Sequence, residues 1–300
     1  MEAADALASA PKRSVGRRLA DLFHGRRLLQ VSGLLSGPLA WLVVGYIGSL
    51  IVLLVTSFWS VSALTGEISQ TFTFDNFNTI FTEPVYRTIA WRTVRVAALV
   101  TVTDAVLAFP IAFYMAKMAS RRARAALVVG ILMPLWSFYL VKVYAWRTML
   151  SADGVINWAL GPLGLHGPGY GTTAVWLVMS YLWLPYMILP IFAGLERIPD
   201  SLLSASEDLG ASPFTTFRRV ILPLAFPAVV AGSIFTFSLT LGDYITPQLV
   251  SNSQFIGNVV YVNQGVAGNV PFAAAFAVVP VLVMILYLLV ARRLGAFEAI

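Results

Sequence analysis

Six stretches of this chain are each apolar over enough residues to cross a lipid bilayer, and that limits its fold more sharply than any other feature. They cover about 38–59, 89–118, 125–146, 172–195, 224–245 and 272–291. A hydrocarbon core about 30 Å thick takes roughly 20 residues of helix to span, against about 9–11 for a β-strand. In lipid the backbone must satisfy its own polar groups, which leaves helices for runs of this length. Apolar residues make up 58 % of the chain and charged residues 11 %, whereas soluble domains carry about 25 % charged residues. The sequence therefore reads as an all-α integral membrane protein of six transmembrane helices. Pro110, Pro134, Pro185 and Pro190 fall inside the runs and mark expected kinks or interruptions. The first run exceeds a signal-peptide core, and no small-residue cleavage site follows it.

Charge gives the orientation. Six spans put both ends of the chain on one side. Fifteen of the twenty lysines and arginines fall in four segments that this topology puts on that same side. These are the start of the chain (Lys12 to Arg27), the turn from Lys117 to Arg124, the stretch holding Arg197, Arg218 and Arg219, and the closing pair Arg292 and Arg293. Under the positive-inside rule all four are cytoplasmic. The expected organisation is a basic cytoplasmic tail over 1–36, a membrane domain over 37–293 and a short C-terminal tail over 294–300.

The same residues weigh against other functions. A net charge of +6 spread between hydrophobic spans describes membrane topology, not a nucleic-acid surface. There is no cysteine, and the two histidines, His24 and His166, show no metal-ligand spacing. No phosphate-binding G-x-x-x-x-G-K-[ST] loop occurs, so no ATP site of that type is expected. A membrane enzyme would need a cluster of His, Asp or Glu at a membrane face, and none is legible. An ion-coupled secondary carrier would show inverted repeats with paired broken helices, and no internal repeat is apparent.

One polar interruption carries strong helix punctuation: PDSLLSASEDLGASPFTTFRRVILPLAFP, 199–227. Pro199, Asp200 and Ser201 suit a helix start, and Gly210 a left-handed stop. Ser212 is a natural N-cap with Pro213 at the first helical position. Pro223 is expected to strain or end the second helix near Leu222. Two short helices around a glycine turn follow. Leu202, Ala205 and Leu209 lie at helical spacing in the first, and Phe214, Phe217 and Ile221 in the second.

A cytoplasmic helix–Gly–helix loop between spans four and five resembles the EAA loop of permease subunits in ATP-binding-cassette (ABC) importers. That motif runs E-A-A, three residues, Gly, nine residues, I-x-L-P. Here Ser204, Ala205 and Ser206 stand at E-A-A, Gly210 at the glycine, and Val220-Ile221-Leu222-Pro223 at the end. Ser204 replaces the usual Glu, and Ser206 replaces Ala. Further stretches resemble permeases of spermidine/putrescine importers, the first permease subunit most closely. They are PLWSFYLVKVYAW (134–146), GVIN (154–157), LPYMILPIFAGLERIP (184–199), LGDYITPQLV (241–250) and FIGNVVYVNQ (255–264).

The resemblance implies the type I importer permease fold and a chain forming half of a translocation path in the bacterial inner membrane. It implies four kinds of partner: a second permease, a pair of ABC ATPases that use ATP and Mg²⁺, an extracytoplasmic solute-binding protein and the bilayer. No cofactor is expected on this chain. The loop over 199–223 becomes a coupling element whose Leu202, Ser204, Ala205, Ser206, Leu209, Gly210, Phe214, Phe217, Leu222 and Pro223 meet or shape the ATPase contact. The expected solute is a polyamine-like cation; an opine or another amino-acid derivative stays open.

Ionisable residues within spans are costly and mark candidate sites. Asp104 lies midway along the second span and Asp243 near the outer end of the fifth, beside Tyr244. A polyamine needs carboxylates for charge and aromatic faces for cation–π contact. Asp243, Tyr244, Asp104, Trp136 and Tyr139 are the expected path residues. Asp104 can instead pair with Arg92, Arg95 or a neighbouring helix. Lys142 is expected to reach outward to water along its alkyl stem.

Overall fold

A computed structural model describes residues 27–62 and 65–293. The expected basic tail lies mostly outside these residues, as do His24 and the tail over 294–300. The chain divides into two units at Val55 and Thr56. The first holds the first candidate span. Its helix α1 (Arg27–Leu42) passes through a wide π segment (Val43–Ile47) into α2 (Gly48–Thr56). Nearly every described residue on it is exposed, as suits a helix whose solvent is lipid.

The second unit opens with a two-stranded antiparallel ribbon, β1 (Ser60–Val61) and β2 (Ile68–Ser69). The helix α3 (Asp75–Thr82) follows, within the aromatic stretch FTFDNFNTIF, 72–81. Phe58, Phe72, Phe74 and Phe77 form a ring cluster here, with Phe58 and Phe72 stacked at 4.7 Å. Asn76 Nδ2 ties it down by donating to the carbonyls of Ser57 and Trp59.

Three long helices make the centre: α4 (Pro84–Phe113, extended by a π turn over Tyr114–Met118), α8 (Thr172–Glu196) and α11 (Leu222–Gly242). All three pack on one another. Small residues let them approach. A Cβ on Gly232 would lie 2.9 Å from Met187 Sδ and 3.2 Å from the Met187 carbonyl oxygen, and one on Gly194 would overlap Ala228. Lipid offers helices no hydrophobic drive to associate, so such close contact carries the packing. Two apolar clusters fill the bundle. One holds Val100, Val143, Val178, Met179 and Phe255; the other holds Ala112, Met115, Met187, Ile191 and Ile221. The last span, α14 (Val270–Arg293), packs with α13 (Ile256–Gly265) through Phe272, Phe276 and Val259.

Two expectations need correcting. The third span is not one interrupted helix. It is α5 (Arg121–Trp136) and α6 (Tyr139–Leu150), bent by 91°. Ser137 and Phe138 take extended backbone at the break. The Pro134 carbonyl there accepts from Ser137 N at 3.3 Å, Ser137 Oγ at 2.8 Å and Lys142 Nζ at 3.1 Å. Lys142 thus caps the helix end from a half-buried position on the wall of the break. Secondly, Pro223 does not end a helix. The chain runs from Pro213 to Gly242 without a break, because the turns widen to π geometry over Phe217–Ile221 just before that ring. The connections over 147–171 and 246–269 are largely helical, holding α7 (Val155–Leu160), α12 (Ile245–Val250) and α13. Among the described residues, five helices are long and apolar enough to cross a membrane, or six if the bent pair counts as one.

Candidate functional site

Two places hold most of the expected functional residues: the loop between α8 and α11, and a cleft beside the α5–α6 break. The first is the loop 199–223. Its helix α9 (Asp200–Asp208) ends in a Schellman turn. Gly210 sits at φ +75°, its N–H donates to Glu207 O at 2.8 Å, and Ala211 N donates to Ser206 O at 3.1 Å. An L side chain in that left-handed conformation is strained, so glycine is the residue that closes the turn. Ser212 then caps α10 (Pro213–Thr216), its Oγ accepting from Thr215 N at 3.3 Å. Such a cap contributes ~1 kcal/mol. The two limbs are stitched by Ser206 Oγ and Thr216 Oγ1, 2.9 Å apart. Serine in place of the motif's second alanine therefore has a structural use. Ser204 is exposed, and its Oγ donates to Asp200 O.

The expected apolar face survives in part. Leu209 is 88 % exposed, Phe214 70 % and Leu202 43 %. Phe217 points inward instead, edge-on to Phe109 with ring centroids 5.5 Å apart, where the π segment turns it into the core. The loop is bolted to the spans by contacts that the charge pattern did not reveal. Lys117 Nζ donates to Asp200 Oδ1 at 2.8 Å and to Ile198 O at 2.6 Å. Arg124 meets Glu196 at 2.8 Å and also donates to the carbonyls of Met115 and Ala116. The hydrogen bond and charge of Lys117 hold the Asp200 carboxyl below the usual carboxylate range.

The second place is an aromatic cleft of about 470 Å³ at the α5–α6 break. Trp136, Phe138, Tyr139, Trp183 and Tyr186 line it, with Lys142. Tyr139 and Trp183 stack with ring centroids 5.9 Å apart, and Trp183 meets Tyr186 at 6.0 Å. Trp183 and Tyr186 are not among the path residues expected from sequence. Their i, i+3 spacing on α8 was the available signal, since it sets both on one face. Asp243 stands behind Tyr139 and is fully engaged. Its Oδ1 accepts from Ile245 N and Thr246 N, and its Oδ2 from the Tyr139 hydroxyl and Thr246 Oγ1. The carboxylate thus starts α12 and joins it to α6.

Tyr244 lines a different hollow, about 350 Å³, stacked on Tyr261 at 4.8 Å. Asp104 joins neither group. It is buried on α4 facing Ser180 of α8. It forms no ion pair with Arg92 or Arg95, and its carboxylate oxygens have no hydrogen-bond partner among the described residues. Also among the described residues, no group of three or more His, Cys, Asp or Glu is placed to hold a metal.

This architecture, an all-α bundle of long apolar helices with a bolted interhelical loop, is the type I ABC importer permease fold. Solved relatives share it. A bacterial alginate ABC transporter in complex with an alginate pentasaccharide-bound periplasmic protein aligns over 90 % of this chain and 96 % of the matched chain, with TM-score 0.70 and 16 % identity. The MetNI methionine ABC transporter in an inward-facing conformation aligns over 72 % and 96 %, with TM-score 0.54 and 18 % identity. The chain belongs to the binding-protein-dependent transport system inner membrane component family, which matches residues 92–297. It is thus a multi-pass inner-membrane protein and a permease half of an ABC importer. It is 47 % identical to the inner membrane ABC transporter permease protein YdcU of Escherichia coli K12, over 89 % of this chain and 90 % of that one. It is 30 % identical to the spermidine/putrescine transport system permease protein PotB of the same strain, over 75 % and 84 %.

Proposed function

We propose that this permease passes a small polyamine-like cation, with both ends of the chain and the loop 199–223 in the cytoplasm. The observation that carries the solute reading is the aromatic cleft at the α5–α6 break. Its stacked Tyr139 and Trp183 offer π faces to an ammonium group, and the carboxylate of Asp243 stands behind the tyrosine. The PotB relative, by name a spermidine/putrescine transport system permease, agrees with this reading. Trp136 and Phe138, 90 % and 84 % exposed, form the outer lip. The chain works with a second permease, two ABC ATPases and a solute-binding protein. Leu202, Leu209 and Phe214 seat in the ATPase, while Gly210, Ser206 and the Lys117–Asp200 pair hold the loop in shape. ATP-driven closure of the ATPases then moves the loop, and the loop moves the spans.

Competition of uptake in the assembled, reconstituted importer tests the solute. Spermidine and putrescine are expected to compete, and loss of competition by both overturns the reading. Lys142 favours a second reading, because a cation at the cleft wall suits a solute with a carboxylate beside its amine, such as an opine. Competition by that class alone would select it. For the coupling role, Gly210→Pro is expected to leave ATP hydrolysis running while uptake stops. Normal uptake by a well-expressed Gly210→Pro importer would end that assignment.

A further inference from the structure

Five basic residues stand apart from the four segments that set the topology, and three of them, Arg87, Arg92 and Arg95, share the first turns of α4. With Pro84, Thr88 and Trp91 they line an open cup of about 420 Å³. Arg92 and Arg95 also line the head of a second hollow, about 540 Å³, whose remaining wall is Val96, Ala98, Leu99, Val102 and Thr172. A cationic cup thus opens directly into an apolar groove on one face of a spanning helix. Arg92 is fixed in the wall, donating to Gln254 O at 3.1 Å. Arg87 and Arg95 are exposed, and neither has an ion-pair partner among the described residues. The neighbouring carboxylate in sequence, Glu83, is the exposed cap residue at the helix start.

Depth places this feature. Lys117, at the other end of the same helix, holds the loop residue Asp200. Arg95 lies about 33 Å along the axis from Lys117 at the usual helical rise, close to the hydrocarbon thickness of a bilayer. The cup therefore sits at the membrane interface away from the coupling loop, with exposed Trp91 at headgroup level. Guanidinium forks match phosphate oxygens in charge and geometry. An acidic protein surface would use the cup and leave the groove empty; a phospholipid fills both.

We propose that this face of α4 binds an anionic phospholipid, its phosphodiester held by Arg87, Arg92 and Arg95 and one acyl chain lying along Leu99 and Val102. The test uses the whole importer, carrying Arg87→Gln and Arg95→Gln together, in nanodiscs of mixed phosphatidylglycerol and phosphatidylcholine. Native mass spectrometry is expected to show phosphatidylglycerol retention reduced by about fivefold per arginine. Inorganic phosphate at millimolar concentration is expected not to displace the lipid; displacement would make the cup a free-anion site. Arg121→Gln with Arg122→Gln, at the opposite interface, serves as the control and is expected to leave retention unchanged. Unchanged retention in the Arg87/Arg95 variant overturns the proposal. So does a loss of affinity for the solute-binding protein in pure phosphatidylcholine, which would assign the cup to a protein. As a second readout, a spin label at Trp91→Cys, in a chain with no other cysteine, is expected to be open to lipid-dissolved oxygen. Shielding of that label in the assembled importer overturns the proposal independently.

Discussion

Tyr139 has two roles: its ring forms a wall of the aromatic cleft, and its hydroxyl closes the Asp243 cap. The two separate by mutation. Tyr139→Phe keeps the ring and removes one donor, leaving Thr246 Oγ1 on Asp243 Oδ2. It is expected to cost ~1 kcal/mol of stability, read by thermal unfolding of the solubilised complex, with little change in the uptake KM. Tyr139→Leu removes the π face as well and is expected to raise KM. Gly210 is a purely conformational residue at φ +75°, so Gly210→Ala is expected to cost ~1–2 kcal/mol through the left-handed backbone alone. Asp200 sets a pH boundary. Its carboxyl is held below the usual range by Lys117, so the pair's contribution is fully present above the unfolded value of ~3.9 and fades as pH falls through the lower folded value. Coupling of ATP hydrolysis to uptake is therefore expected to be insensitive to this pair between about pH 5 and 8, and a loss of coupling in that window that Asp200→Asn abolishes would contradict it.

At the scale of elements, the spans were legible because the bilayer imposes one length and one chemistry on each. The start of α8 at Thr172 falls where the hydropathy does. The Gly210 turn and the Ser212 cap were legible too, since each rests on local backbone chemistry. What the sequence hid is decided between elements. Nothing local in YLVKVYAW shows that the chain turns through 91° just before it. The turn is fixed by three donors gathering on the Pro134 carbonyl, one of them from Lys142 eight residues on. Nor does FRRVI reveal a π segment that buries Phe217. Lys117→Met is expected to detach α9 from α4 while the spans stay folded. The measurable outcome is ATP hydrolysis that no longer responds to solute-loaded binding protein, restored in part by Lys117→Arg. Unaltered stimulation would show that the Lys117–Asp200 contact is not what holds the loop in its working position.

For the whole molecule, the helix that leaves the Ser212 cap continues unbroken to Gly242, next to the Asp243 that caps α12 and meets Tyr139. At the usual rise those thirty residues form a rod about 45 Å long. A tilt of about 5° at the loop end then sweeps the far end through roughly 4 Å, the width of a small solute, with no helix having to melt. Such a rod also transmits phase. Each residue added or removed turns everything beyond it by about 100°. The wide turns over Phe217–Ile221 therefore set the azimuth at which Phe214 faces outward while Asp243 faces Tyr139. Like a keyed shaft, the two ends fit their partners at one rotational setting only, and deleting a single residue from that segment would leave a sound helix that misses one of them.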